Sequence, residues 1–457
     1  MIAWDKAGGA RQERAIPAPF GPQSATAEVA TLRQPRLRQV HQVGFSMADQ
    51  ALSVGGTFLV NLVLARTQSK EQYGMFALSY SVLVFLLGLQ NAAILEPFTV
   101  FGSGRYRSRL AEYFQLMFWS NTALGLLLTA LLLVLVLAFR GLAPQLLPSG
   151  IIGLGLTITL LLSGTLIRRV FYLQERADLA AAASTIFFLT VMAGLWLTAK
   201  SHVLNSSSVF LVLAAGWMTA GLSLAGNLSF GKTGKTFLEC QPDYWPEHWK
   251  YARWVLLTAF IFQLTTQGYY WLVAGLLSVR DVAELKAVAL LVAPADQIFI
   301  ALNYLVLPLL CSHYAARRME RLLSAWRWYA IAITAATLSF FLVLFIFGKL
   351  ITHVLYGGRY DDAAPLLTWM LLVPVVMGIG HTMNAALKAA ESPRLVFWAY
   401  AVSAGVTFIA GVPLVVRLGL RGAVYGMLLS GSSYTVAMAV GFATRFQRTT
   451  SAPAVPV

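Results

Sequence analysis

Few side chains in this sequence could do chemistry, and most are single polar residues inside long apolar runs. Asp296 lies about 10 residues into the apolar run 286–311, and Gln297 follows it. A carboxylate near the middle of a bilayer is costly unless water, an ion or a hydrogen-bonding partner reaches it. Asp296 therefore indicates either a cavity that admits protons or cations, or a structural carboxyl bonded to a neighbouring helix.

Other polar residues lie inside neighbouring apolar runs. Gln263 and Gln267 lie in the run 254–278 and are candidate partners for Asp296. His381 and Asn384 lie in the run 363–386, where such residues either line a pathway or join two helices by a hydrogen bond. We predict that these four residues, with Asp296 and Gln297, form a substrate or ion pathway.

A second group of polar residues lies near the ends of the apolar runs on one side. The group contains Asp49, Gln50, Glu96, Arg168 and Arg169. One interpretation is an inner gate, in which the acids pair with the arginines through charge-assisted hydrogen bonds and close the cytoplasmic mouth. The alternative is a set of interfacial side chains that reach the lipid headgroups, together with ordinary cytoplasmic arginines.

The sequence contains no motif of an enzyme active site. There is no phosphate-binding loop, no dinucleotide fingerprint, no HExxH and no nucleophile elbow. Cys240 and Cys311 fit neither a metal site nor a disulfide framework. We therefore predict a protein that is not an enzyme and that uses no cofactor or metal, with transport as the preferred activity.

The elements that must position these residues are membrane-spanning helices. Of 457 residues, 58% are hydrophobic and 12% charged, and the mean hydropathy is +0.68. A soluble fold could not cover its surface with so few charges. In a membrane protein, the net charge of +15 indicates how the chain is oriented in the membrane and does not point to nucleic-acid binding. The apolar runs lie at 43–65, 75–101, 113–139, 150–170, 179–199, 208–228, 254–278, 286–311, 328–352, 363–386, 395–416 and 422–443.

These runs predict an all-α polytopic membrane protein with about twelve transmembrane helices, in two six-helix lobes around a central cavity. Alternate connections hold 24 and 10 of the 34 Lys and Arg residues, so both termini are predicted to be cytoplasmic. The predicted domains are a disordered cytoplasmic tail (1–40), a first lobe (41–230), a cytoplasmic connection (231–253), a second lobe (254–445) and a cytoplasmic tail (446–457).

Five stretches of the sequence resemble one family of membrane proteins. The segments are 49–78, 88–102, 168–180, 354–367 and 384–397, which contain an opening DQ, a YG after the first hairpin and a GGRY loop. Together they are similar to the polysaccharide export proteins, the O-antigen and exopolysaccharide repeat-unit flippases. These belong to the multidrug/oligosaccharidyl-lipid/polysaccharide exporter superfamily.

The resemblance implies a two-lobed bundle in a bacterial cytoplasmic (inner) membrane that opens alternately to either side. The implied substrate is an undecaprenyl-diphosphate-linked oligosaccharide, and the implied partners are membrane lipids, a coupling H+ or Na+ ion and a polysaccharide polymerase. The matched positions with an implied structural or gating role are Asp49, Gln50, Glu96, Arg168, Arg169 and, in an outer loop, Arg359. Asp296 is not part of the pattern and suits the alternative, a cation-coupled multidrug exporter of the same superfamily.

Overall fold

The computed structural model describes residues 36–142, 149–228 and 237–450, and they form a helical bundle with no strand in these ranges. The all-α prediction is confirmed. The helices before residue 229 are α1 (Arg36–Thr67), α2 (Lys70–Gln90), α3 (Glu96–Ser103), α4 (Leu110–Leu142), α5 (Ser149–Leu173), α6 (Ala177–Lys200) and α7 (Ser206–Leu224). A π-helical turn, Asn91–Leu95, joins α2 to α3.

The second half continues the pattern with a very long first helix. Its helices are α8 (Phe237–Leu276), α9 (Val279–Ala315), α10 (Met319–Tyr356), α11 (Ala364–Met370), α12 (Leu372–Ala389), α13 (Pro393–Ile409), α14 (Gly411–Leu418) and α15 (Leu420–Thr450). Helix α1 thus begins inside the predicted tail 1–40, whose first 35 residues lie outside the described ranges. Residues 237–253 of the predicted connection are the first part of α8.

Eleven helical segments of the described chain are long and apolar enough to cross a membrane. They match eleven of the twelve predicted spans, and the chain is a multi-pass membrane protein. The remaining span, 254–278, is helical but belongs to α8 and falls short in apolar character. Gln263, Thr265, Thr266 and Gln267 explain this, because they give one stretch of the helix a polar surface.

The helices form two lobes. In the N-lobe, defined as α1–α7, α1 packs on α6, α4 on α5, and α7 on both α5 and α6. In the C-lobe, defined as α8–α15, α15 packs on α12 and α13, and α10 packs on α9 and α12. Between the lobes, α2 packs along α9 and α8. Small residues permit this close approach: a Cβ on Gly74 of α2 would lie 1.9 Å from the carbonyl oxygen of Val279.

The lobes meet at the end where α1 leads into α2 and α8 leads into α9, which we call the closed end. Lys70 Nζ lies 2.7 Å from Glu284 Oε1, and both side chains are largely buried. The Tyr73 and Tyr360 rings pack edge to face with centroids 6.2 Å apart. The predicted topology assigns the closed end to the periplasm.

Candidate functional site: a polar cavity in the C-lobe

A cavity of about 770 Å³ lies within the C-lobe. Its wall comes from α8, α9, α10, α11, α12, α13 and α15, with Val84 of α2 as the N-lobe contribution. Proline helps to shape it, because Pro294 inside α9 has no N–H to bond the carbonyl of Leu290, a residue of the cavity wall. The volume falls within the range of small-ligand sites.

The six residues predicted as a pathway all line this cavity. They are Gln263 and Gln267 of α8, Asp296 and Gln297 of α9, and His381 and Asn384 of α12. Three different helices therefore bring them to one space. The role of this space as a pathway stays a prediction.

Asp296 faces the cavity with an exposed side chain. Among the described residues, no hydrogen bond or ion pair joins Asp296 to Gln263 or Gln267, its candidate partners in the structural alternative. A carboxyl at this depth avoids the cost of hydrocarbon when water reaches it. A role for Asp296 in a pathway for protons or cations stays a prediction.

Two lysines in the cavity wall were not identified from the sequence. Lys286 of α9 and Lys388 of α12 were both counted as charges of the connections, because each lies next to the end of a predicted span. At 1.5 Å per residue, Lys286 lies about 15 Å from Asp296 along α9, toward the closed end. Lys388 is exposed and lies near the C-terminal end of α12, away from the closed end. The cavity therefore carries two cations and one carboxylate.

Lys286 has an unusual environment for a lysine. Its Nζ lies 5.0 Å from the ring centroid of Tyr80 on α2 and 5.4 Å from that of Tyr270 on α8. Among the ion pairs of the described residues, none involves Lys286. Its ammonium is thus held by two aromatic faces rather than by a carboxylate.

Asn384 belongs to a small aromatic cluster in the cavity wall. Its Nδ2 donates to the hydroxyl of Tyr400 (3.1 Å) and to that of Tyr434 (3.3 Å), whose rings stack. Tyr434 also contacts His381 Nδ1 at 3.5 Å. Asn384 Oδ1 is buried without a hydrogen-bond partner. This cluster joins α12, α13 and α15.

The predicted pairing of Asp49 with Arg168 is present in the structure, within the N-lobe. Arg168 binds the fully buried carboxylate twice, with Nε 3.1 Å from Oδ1 and Nη2 2.6 Å from Oδ2. Tyr172 and Ser184 donate to the same carboxylate. Because all partners lie on α1, α5 and α6, the pair joins helices of one lobe. An ion pair inside one lobe cannot itself close a mouth between two lobes, so we revise its role from gate to structural link.

The other predicted gate residues lie apart from this pair. Glu96 accepts a hydrogen bond from Tyr251 of α8 at 3.2 Å and takes part in no ion pair among the described residues. Arg169 Nη2 donates to Asn91 Oδ1 at 3.2 Å, and Gln50 is exposed. A pairing of Glu96 with Arg169 stays a prediction.

Arg359 lies at the closed end. Its Nη1 donates to the backbone carbonyl of Arg66 at 2.7 Å, which links the loop after α10 to the end of α1. Gly357 and Gly358 make this loop possible with φ values of 63° and 81°. The outer-loop residue named by the sequence thus contributes a contact between the lobes.

The first part of α8 docks on the opposite end of the N-lobe through a buried histidine. The ring of His248 contacts the Tyr113 hydroxyl with Nδ1 (2.7 Å) and the Ala93 carbonyl with Nε2 (2.8 Å). Ala93 belongs to the π-helical turn, so His248 bonds a carbonyl at the irregular point of the helix. Burial lowers the pKa of His248, opposed by the hydrogen bond to Ala93, which raises it.

Comparison with solved structures identifies the fold. A MATE-family multidrug resistance transporter of the MOP superfamily, in an inward-facing conformation, matches with a TM-score of 0.71 at 14% identity over 90% of this chain and 99% of the other. The lipid II flippase MurJ, in an inward closed conformation, matches with a TM-score of 0.68 at 14% identity over 89% of each chain.

A third match is a MOP superfamily transporter from Pyrococcus furiosus Vc1 (DSM3638), described by a binding pocket of reverse polarity, with a TM-score of 0.63 at 15% identity over 91% and 95% of the two chains. No family model and no curated protein matches the sequence. The chain therefore has the fold of MOP superfamily transporters, and at these identities the comparison establishes the fold alone.

Proposed function

We propose that this protein is a flippase that moves an undecaprenyl-diphosphate-linked oligosaccharide from the inner to the outer leaflet of the bacterial cytoplasmic membrane by alternating access, for O-antigen or extracellular polysaccharide assembly. The observation that carries the proposal is the cavity with Lys286 and Lys388 in its wall. A diphosphate needs cationic partners where water is scarce, and Lys is a common phosphate ligand. The amides and tyrosines between the lysines suit sugar hydroxyl groups.

The fold supports this choice in a second way. A flippase needs a polar space for the headgroup and a lateral opening for the lipid tail, which two lobes can provide. The lobes meet at the closed end, so under the predicted topology the cavity belongs to a state that is sealed from the periplasm. Likeness to the lipid II flippase MurJ agrees with a lipid-linked substrate.

The test is binding of undecaprenyl diphosphate to the purified full-length protein. We expect Lys286→Gln and Lys388→Gln each to weaken binding about tenfold or more, because a charged hydrogen bond contributes about 1.5–3 kcal/mol. Lys349→Gln is the matched control, since Lys349 is exposed on α10 outside the cavity. Equal affinity of all four proteins for the lipid would contradict the proposal.

The second candidate function is a cation-coupled multidrug exporter. The exposed carboxyl of Asp296 favours it, because a carboxylate in the cavity attracts cationic compounds or a coupling proton or sodium ion. In a flippase the same residue would couple the ion gradient to transport. Asp296→Asn distinguishes the two: loss of binding of a hydrophobic cation favours the exporter, whereas unchanged lipid binding with loss of gradient-driven flipping favours the flippase.

A further inference from the structure

Lys286 connects the cavity to the interface between the lobes. It extends from α9 of the C-lobe, and one of its two aromatic partners, Tyr80, belongs to α2 of the N-lobe. Tyr270, the other partner, belongs to α8 and lines the cavity with Lys286. The ammonium therefore touches both the substrate space and the opposing lobe.

The contact with Tyr80 exists only while the lobes are close. It lies on the same packing of α2 against α9 that brings Gly74 to Val279. Beside it, Trp271 Nε1 donates to Ser81 Oγ at 2.9 Å. Separation of α2 from α9 would remove Tyr80 from Lys286 but would leave Tyr270 in place on the C-lobe side.

An anion in the cavity competes with this contact. The face of an aromatic ring carries negative potential, so it attracts the ammonium and repels a phosphate. A phosphate that accepts hydrogen bonds from Lys286 Nζ must draw the ammonium away from the Tyr80 ring and into the cavity. A ligand that binds one of two conformations better shifts the population toward it.

We propose that Lys286 is a substrate-operated latch: its contact with Tyr80 helps to hold the lobes together, and a bound phosphate or diphosphate anion withdraws the lysine and favours opening of the closed end. The proposal rests on the proposed function, because the anion is the diphosphate of the lipid-linked substrate. The latch adds a cause for opening of the closed end, because Lys286 exchanges an aromatic partner for an anionic one.

The experiment measures the distance across the closed end by spin labels. Labels are placed at two exposed positions, with Thr67→Cys and Asp362→Cys, after Cys240→Ser and Cys311→Ser remove the native thiols. The full-length protein in phosphatidylcholine nanodiscs is titrated with inorganic pyrophosphate and, separately, with undecaprenyl diphosphate. Longer distances on addition of either compound support the latch, and a response to the lipid alone assigns the anion to a lipid headgroup.

Tyr80→Leu and Tyr80→Phe form the matched pair, because phenylalanine keeps the aromatic face and leucine does not. We expect Tyr80→Leu to show longer distances without ligand and to bind the anion between about twofold and thirtyfold more tightly, as a cation–π contact of this range predicts. Tyr80→Phe should resemble the wild type. Lys286→Gln should also show longer distances and should not respond to either compound.

The outcomes separate the latch from the proposed function. If the wild type binds the anion and Tyr80→Leu binds it with the same or a lower affinity, the latch is overturned and the proposed function remains intact. If Tyr80→Leu does not fold, a Lys286→Gln protein that keeps the short wild-type distance overturns the latch instead. Failure of the wild type to bind both pyrophosphate and undecaprenyl diphosphate overturns the proposed function and the latch together.

Discussion

At the scale of single residues, the buried carboxylate of Asp49 has the most completely satisfied environment among the predicted polar residues. It accepts hydrogen bonds from Arg168, Tyr172 and Ser184. Removal of one partner from such a pair leaves an uncompensated charge and costs about 3–5 kcal/mol. We therefore expect Asp49→Asn to lower the thermal stability of the purified protein strongly, as measured by its unfolding temperature in detergent.

Gln50→Ala is the control for this prediction, because Gln50 is the exposed neighbour of Asp49 and should leave the unfolding temperature unchanged. The double variant Asp49→Leu with Arg168→Met should lose less stability than the summed losses of the two single variants, since it removes both charges. Strictly additive losses would show that the two side chains are not coupled.

From the sequence, these residues could be recognised only by their position along an apolar run, which gives their depth in the membrane. Asp49 and Arg168 share a level in their helices, so their pairing was foreseeable, and the six cavity residues stood out as polar groups in apolar runs. Lys286 and Lys388 were missed because a lysine at the edge of an apolar run looks the same in sequence as a connection charge. The face that each residue presents depends on tertiary packing, which span boundaries do not encode.

At the scale of helices, the closed end depends on the approach of α2 to α9. A Cβ at position 74 would lie 1.9 Å from the Val279 carbonyl oxygen and 2.9 Å from its Cγ1, so Gly74→Ala must separate the two helices. We expect this variant to lengthen the distance between spin labels at positions 67 and 362. A distance distribution like that of the wild type would contradict the assigned closeness of the helices.

Gly88→Ala offers a matched comparison on the same helix. A Cβ there would lie 1.7 Å from Gln263 Nε2, the far end of a flexible side chain that can rotate away. Both substitutions replace a glycine of α2 with alanine. They differ only in the atoms that the new methyl group contacts. The effect of Gly88→Ala on the closed end should be much smaller.

The docking of the first part of α8 should depend on pH through His248. Its pKa is lowered in the docked state, so the undocked segment binds a proton more readily and gains stability as the pH falls below about 6.5. We expect amide hydrogen exchange of residues 244–253 to increase between pH 7 and pH 5 relative to His248→Gln measured at the same pH. Identical pH dependence in both proteins would rule out His248 as the cause.

The long helix α8 was only partly predictable. Its apolar portion and polar cavity face were recognised as the span 254–278, but the helical portion 237–253 was predicted as a connection. Prolines and charges made that stretch look like a loop. It is helical because Tyr244 and His248 bond to partners on the N-lobe, the half-buried Glu112 and the buried Tyr113. Partners so distant in sequence leave no local signal.

At the scale of the whole molecule, the asymmetry of 24 against 10 basic residues predicts the orientation in the membrane. Val203 and Lys250 are exposed and lie on opposite predicted sides of the membrane, Val203 after α6 and Lys250 in the first part of α8. In a cysteine-free background, Val203→Cys should react with an impermeant thiol reagent in intact cells, and Lys250→Cys only after permeabilisation. Reaction of both from outside would overturn the topology.

Flipping itself tests the central claim most directly. Proteoliposomes that hold the full-length protein and an ion gradient would receive a fluorescent undecaprenyl-diphosphate oligosaccharide or, in parallel, a fluorescent hydrophobic cation. The leaflet of the lipid is read from quenching by an impermeant reductant, and the cation from its uptake. We predict rapid transbilayer movement of the lipid-linked glycan, and at least a tenfold slower movement with Lys286→Gln. Uptake of the cation without movement of the glycan would contradict the account.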